Sequence, residues 1–125
     1  MVTRQDRFHE VVLRSLAVHD EQFIESVLGI RLENIGASKL DPKTRALVQL
    51  GALLAVDAGA PSYQWIVDAA FASGATVEEI AGAVIAVAPT VGVERLVSAA
   101  PKLGLAVGYD VDAALERLDD DGEIG

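Results

Sequence analysis

Residues 46–56 read Ala-Leu-Val-Gln-Leu-Gly-Ala-Leu-Leu-Ala-Val, an apolar run broken only by Gln49 and Gly51. Alanine and leucine dominate it, and both are strong helix formers. Just upstream stands Asp41-Pro42. An aspartate there can cap a helix, and proline at the first helical position sacrifices no intrahelical hydrogen bond. A helix is therefore predicted over residues 42–58. Apolar around its whole circumference, it has no face for water and must be surrounded. That makes it a central helix of its fold, an oligomer interface, or both.

The rest of the chain repeats the helical theme. Phe8, Val11, Val12 and Leu16 form a stripe over residues 7–18. Asp20 can cap a second helix to about residue 28, with Phe23, Ile24, Val27 and Leu28 at helical spacing and Gly29 as its stop. Residues 32–39 read as a loop. A fourth helix is predicted over residues 62–73, preceded by Gly59 and Pro61 and ended by Gly74-Ala75. Thr76 and Glu79 have the spacing of a capping box before an apolar helix over residues 77–88. Pro89 and Gly92 predict a break or kink, and a sixth helix then runs to about residue 100, where Pro101 interrupts or restarts it and the apolar stretch continues to Val107. Asp110 or Asp112 starts a short terminal helix through Leu118. No strand-like alternation occurs, so the expected fold is all-α, about six helices in a single domain over residues 1–125.

Composition narrows the chemistry. The chain has no cysteine, which excludes disulfides, thiolate metal ligands and iron–sulfur clusters and fits a reducing compartment. Its two histidines, His9 and His19, lack the i, i+3 or i, i+4 spacing of a helical metal site. No metal and no cofactor are expected. Net charge is −9, of which residues 110–125 supply −6. With no basic stripe to displace counterions, nucleic acid is not an expected partner; the acidic end reads as a solvated terminus. The longest uncharged run, residues 80–93, is interrupted by Pro89 and falls short of the roughly 20 apolar residues a membrane span needs. Residues 1–10 are polar and charged, unlike a secretory signal. The expectation is a soluble, cytoplasmic protein.

Two segments carry a family resemblance: residues 40–48, Leu-Asp-Pro-Lys-Thr-Arg-Ala-Leu-Val, and residues 74–80, Gly-Ala-Thr-Val-Glu-Glu-Ile, with one helix of suitable length between them. In this order and spacing, the region from about Lys39 to Val107 resembles the carboxymuconolactone decarboxylase family, which includes the alkylhydroperoxidase D-like proteins. The resemblance implies an all-α bundle around a central helical hairpin, assembled as a homo-oligomer, usually a trimer or hexamer. It also implies peroxiredoxin-type or decarboxylase chemistry. The peroxidase branch carries Cys-x-x-Cys-x-x-x-His, whose second cysteine and histidine share a helix face and exchange a proton. Here those positions fall on Gly59, Ser62 and Ile66, and the branch's early glutamate falls on Ala46. None of these can supply the thiol, and Ile66 cannot take a proton. The decarboxylase branch keeps the histidine, so Ile66 departs from that pattern too.

The functional candidates that remain are Ser62, Tyr63, Gln64, Trp65 and Ile66, the most polar and aromatic cluster at the family's site position. Two hydroxyls and an amide beside an apolar wall suit a small-molecule pocket. A plainer arrangement has Ser62 capping the helix, Trp65 packing on a neighbouring helix or subunit, and Gln64 pairing with Asp68. His9 or His19 can serve as a base only if the N-terminal segment delivers one to the site. Lys43, Arg45, Glu94 and Arg95 suit a subunit contact or a solvated helix face. Three functions follow: binding or conversion of a small organic molecule without a thiol, a catalytically silent oligomeric scaffold, and a decarboxylase or isomerase with a recruited histidine.

Overall fold

A computed structural model describes residues 7–28 and 37–121. The fold is all-α, with seven α-helices and no strand among the described residues. The chain divides into two compact units, Met1–Leu40 and Asp41–Gly125.

The N-terminal unit contains α1 (Phe8–Ala17) and α2 (Glu21–Phe23). Asp20 caps α2 as expected, its carboxylate accepting from the Phe23 N–H at 3.1 Å. Beyond Phe23 the helix widens into a π-turn over Ile24–Leu28, a correction to the continuous α-helix predicted there. A short apolar pattern cannot distinguish i→i+4 from i→i+5 bonding. His19 turns the chain between the helices in the left-handed region, at φ 53°. No residue of α1 or α2 is buried. The stop expected at Gly29 and most of the loop expected over residues 32–39 lie outside the described residues.

The second unit holds α3 (Pro42–Ala55), α4 (Ala60–Ala72), α5 (Val77–Val91), α6 (Val93–Val107) and α7 (Val111–Asp121). Helices α3 and α4 form the helical hairpin. Ala46, Leu50 and Leu54 on α3 and Tyr63, Ile66, Val67 and Ala70 on α4 recur at helical spacing and supply most of the core. Ile80 of α5 and Ala99 and Leu103 of α6 close it. Gly51 lets α5 approach α3 closely, because a Cβ there would sit 3.2 Å from Val87 Cγ1. The Lys43–Glu79 ion pair, at 3.0 Å, joins the same two helices near their N-termini.

The predicted caps account for the helix starts. Asp41 accepts from the Thr44 N–H, at a long 3.5 Å. Thr76 and Glu79 form the full capping box, at 3.1 and 3.0 Å. Asp110, rather than Asp112, caps α7 by accepting from the Ala113 N–H at 3.0 Å.

Four boundaries differ from expectation. Helix α3 ends at Ala55 rather than near residue 58, because Asp57 turns left-handed at φ 52°. Helix α4 starts at Ala60 with Gly59 as its cap, so Ser62 lies inside the first turn and caps nothing. Helix α5 continues through Pro89 to Val91, and the break falls at Gly92, at φ 94°. Pro101 lies within α6 rather than interrupting it. A helical proline forfeits one N–H bond and crowds the preceding turn. Glycine at a positive φ redirects the chain itself.

Candidate functional site

The segment 62–66 occupies the first two turns of α4, where helical geometry separates its side chains. Tyr63 and Ile66 point into the core, with 0% and 1% exposure. Tyr63 also ties α4 to the end of α3, its hydroxyl donating to the Leu53 carbonyl at 3.3 Å. Burial raises the Tyr63 pKa, and the nearby Asp57 carboxylate adds to the rise. Gln64 and Trp65 face outward. Gln64 Nε2 donates to Asp68 Oδ1 at 2.9 Å, and the Trp65 ring is 55% exposed. Ser62 is half-buried. The helix therefore brings Tyr63 and Ile66 together in the core and leaves Gln64 and Trp65 on the surface.

A polar clasp that the sequence reading did not single out lies where the α3–α4 connection meets α6. Asp57 Oδ1 accepts from Ser98 Oγ at 3.1 Å and from Lys102 Nζ at 3.3 Å, while Lys102 also donates to the Ala58 carbonyl at 2.9 Å. The Ser98 hydrogen bond, then the Lys102 contact, holds the Asp57 carboxyl below its ordinary pKa. Ser98 and Lys102 share a face of α6 at i, i+4 spacing, but their partner stands more than forty residues upstream. No local signal links the three.

The largest departure from expectation is an apolar groove of about 350 Å³ between α5 and α6. Leu54, Ile80, Val84, Leu96, Leu103 and Val107 form its floor and sides. Ala81, Ile85 and Ala100 stand at its rim, exposed to solvent. One end is built by the turn from α6 into α7. There Gly108 adopts φ 91°, and the Tyr109 N–H returns to the Gly104 carbonyl at 2.7 Å. Gly104 permits this crossing. A Cβ at that position would lie 2.6 Å from the Tyr109 carbonyl oxygen and 2.9 Å from Val111 Cγ2. Tyr109 brings the one polar side chain in the lining.

Other sequence candidates lie elsewhere. Lys43 pairs with Glu79 across α3 and α5, and Glu94 and Arg95 are exposed. His9 and His19 are both exposed in the N-terminal unit. No cluster of three metal-ligating side chains occurs among the described residues. No helix among them is long and apolar enough to cross a membrane.

The model of the carboxymuconolactone decarboxylase family matches residues 21–103, well over half of the chain. The chain belongs to the carboxymuconolactone decarboxylase family. Neither a curated protein nor a solved structure matches it. Within this family member, the positions to which the resemblance assigned the peroxidase residues are the α4 cap at Gly59, half-buried Ser62, and the core residues Ile66 and Ala46.

Proposed function

We propose that this family member binds a small organic molecule in the α5–α6 groove, works without thiol chemistry, and does so as a homo-oligomer in a reducing cytoplasm. The groove is the observation that supports the reading. Its volume falls in the range of small-molecule sites, and its lining is apolar with one polar group, the usual character of such sites. Ile66 sits in the core at the position assigned to the family's histidine, which speaks against proton transfer there. In this reading Tyr63 and Ile66 support the hairpin, and Ser62, Gln64 and Trp65 form an outer face available to a ligand or a second copy.

Assembly, as the trimer or hexamer the family resemblance implies, is supported by the apolar surface the second unit leaves in water. Val93 is 71% exposed, and Val97 and Trp65 are also exposed. Such patches commonly mark interaction sites. The same surface favours a second reading, a catalytically silent scaffold.

Two assays on the full chain separate these readings. A thermal-shift and ligand-observed NMR screen of small organic molecules should yield binders that raise the melting temperature. A peroxide-consumption assay with a thiol reductant should stay at the background rate. Peroxide turnover above background, from a chain without cysteine, sinks the reading that Gly59, Ser62 and Ile66 leave the family's peroxidase site inert, and a screen without binders leaves the scaffold. Analytical ultracentrifugation should give a mass above that of one chain, and a monomer would remove the assembly claim.

A further inference from the structure

We infer that the α5–α6 groove selects an uncharged ligand, a one- or two-ring hydrocarbon skeleton with at most one hydroxyl or carbonyl group, over the carboxylate of the same skeleton. The inference rests on the groove being the binding site. It concerns what the lining can and cannot solvate.

A carboxylate leaving water needs hydrogen-bond donors or a cation, because an uncompensated buried charge is severely penalised. The lining offers neither. Only the Tyr109 hydroxyl is polar among its side chains, and Tyr109 is 55% exposed. No buried side-chain polar atom among the described residues lacks a partner, so none stands ready for an anion. Of the cations on the neighbouring helices, Lys102 is held by Asp57 and the Ala58 carbonyl and Lys43 by Glu79, while Arg95 and Arg117 are exposed to solvent outside the lining. Acidic residues next to the lining in sequence outnumber basic ones, Glu78, Glu79, Asp110 and Asp112 against Arg95 and Lys102. Glu78 follows Val77, and Asp110 and Asp112 bracket Val111. With a net charge of −9, the field around the chain repels an anion before it arrives.

Size and shape set the other limit. An apolar cavity of about 150 Å³ accepts benzene, and this groove is roughly twice that at about 350 Å³. One or two rings fill it. A single polar substituent can stay near the solvent at the end of the groove that half-exposed Tyr109 lines.

The test is calorimetric or NMR titration of the full chain with 2-naphthol and with 2-naphthoate at neutral pH, where the first is uncharged and the second is an anion. Ala100→Phe puts a ring at the groove's rim, Ala81→Phe does so from the opposite helix, and Ala86→Phe is the control on an exposed residue outside the lining. Circular dichroism identifies the groove variants that fold. 2-Naphthol should bind at least about tenfold more tightly than 2-naphthoate. The folded groove variants should weaken it by about tenfold or more, while Ala86→Phe leaves it unchanged. If 2-naphthoate binds as tightly at a site the groove variants block, the selectivity is wrong though the groove remains the site. If neither probe binds in a way those variants weaken, the groove reading and this inference fall together. A change in oligomer mass in the groove variants, with neither probe bound, assigns the groove to a second copy and likewise overturns the inference.

Discussion

Helices α3 and α4 and helices α5 and α6 are of similar length and apolar character, yet they treat water differently. The first pair buries seven side chains, Ala46, Leu50 and Leu54 against Tyr63, Ile66, Val67 and Ala70. The second pair includes the longest uncharged run of the sequence, but α5 buries only Ile80, and α6 only Ala99, Leu103 and Gly104. Ile85, Val93, Val97 and Leu105 face outward. Apolar sequence records a capacity for burial; the partner that realises it has to come from somewhere. In the hairpin the partner is the neighbouring helix. Along α5 and α6 part of the apolar surface lines an open groove, and part has no neighbour within the unit.

Substitutions test this contrast directly. Ile66→Ala removes a core side chain and should cost about 2–5 kcal/mol in chemical denaturation. Ile85→Ala removes the same atoms from an exposed position and should change stability by less than about 0.5 kcal/mol. Equal losses at the two sites would erase the contrast, for Ile85 would then be buried in the working protein. Gly104→Ala should cost about 1–3 kcal/mol, because its methyl group meets the Tyr109 carbonyl rather than a side chain that can move. Thr76→Ala removes the hydroxyl that caps α5 and should cost about 1 kcal/mol, read from the same denaturation curves.

The smallest effect expected is on pH dependence. The Ser98 hydrogen bond and then Lys102 lower the Asp57 pKa, while Lys43 and then the Thr76 N–H lower that of Glu79. A carboxylate whose folded pKa lies below its unfolded value contributes stability above the unfolded value and loses it as pH falls through the folded one. The denaturation midpoint should therefore drop below about pH 4. Asp57→Asn and Glu79→Gln should flatten that acid limb, and asparagine tolerates the left-handed backbone at residue 57. An unchanged limb in both variants would show that neither carboxylate keeps its partner in solution.

Much of the fold was legible from local signals. Asp20, Asp41 and the Thr76–Glu79 pair each cap the helix start they announce. One face of α3, Ala46, Leu50 and Leu54, is the core element its sequence announces, but the helix is not surrounded as its all-round apolar character predicts, for Val48, Ala52 and Ala55 are exposed within the unit. Boundaries moved where a proline was carried inside a helix and the glycine beyond it made the turn, as at Pro89 and Gly92, or where a turn depended on an aspartate in the left-handed region, as at Asp57. The candidate site was less legible. Segment 62–66 is compact in sequence, but a helix turns by about 100° per residue, so adjacent side chains diverge. The groove reverses that relation. Its lining comes from α3, α5, α6 and the start of α7, residues far apart in the chain.

The sequence by itself determined that the fold is helical, where most helices begin, and that these 125 residues supply no thiol. These are properties of residue types and of spacings of three or four residues, which local hydrogen bonding decides. Only the tertiary structure decided which apolar residues meet one another. It put Ile66 in the core, joined Asp57 to Ser98 and Lys102, and left α5 and α6 flanking an open groove. Packing is settled by contacts between helices, and those depend on how whole elements cross, which no local pattern encodes.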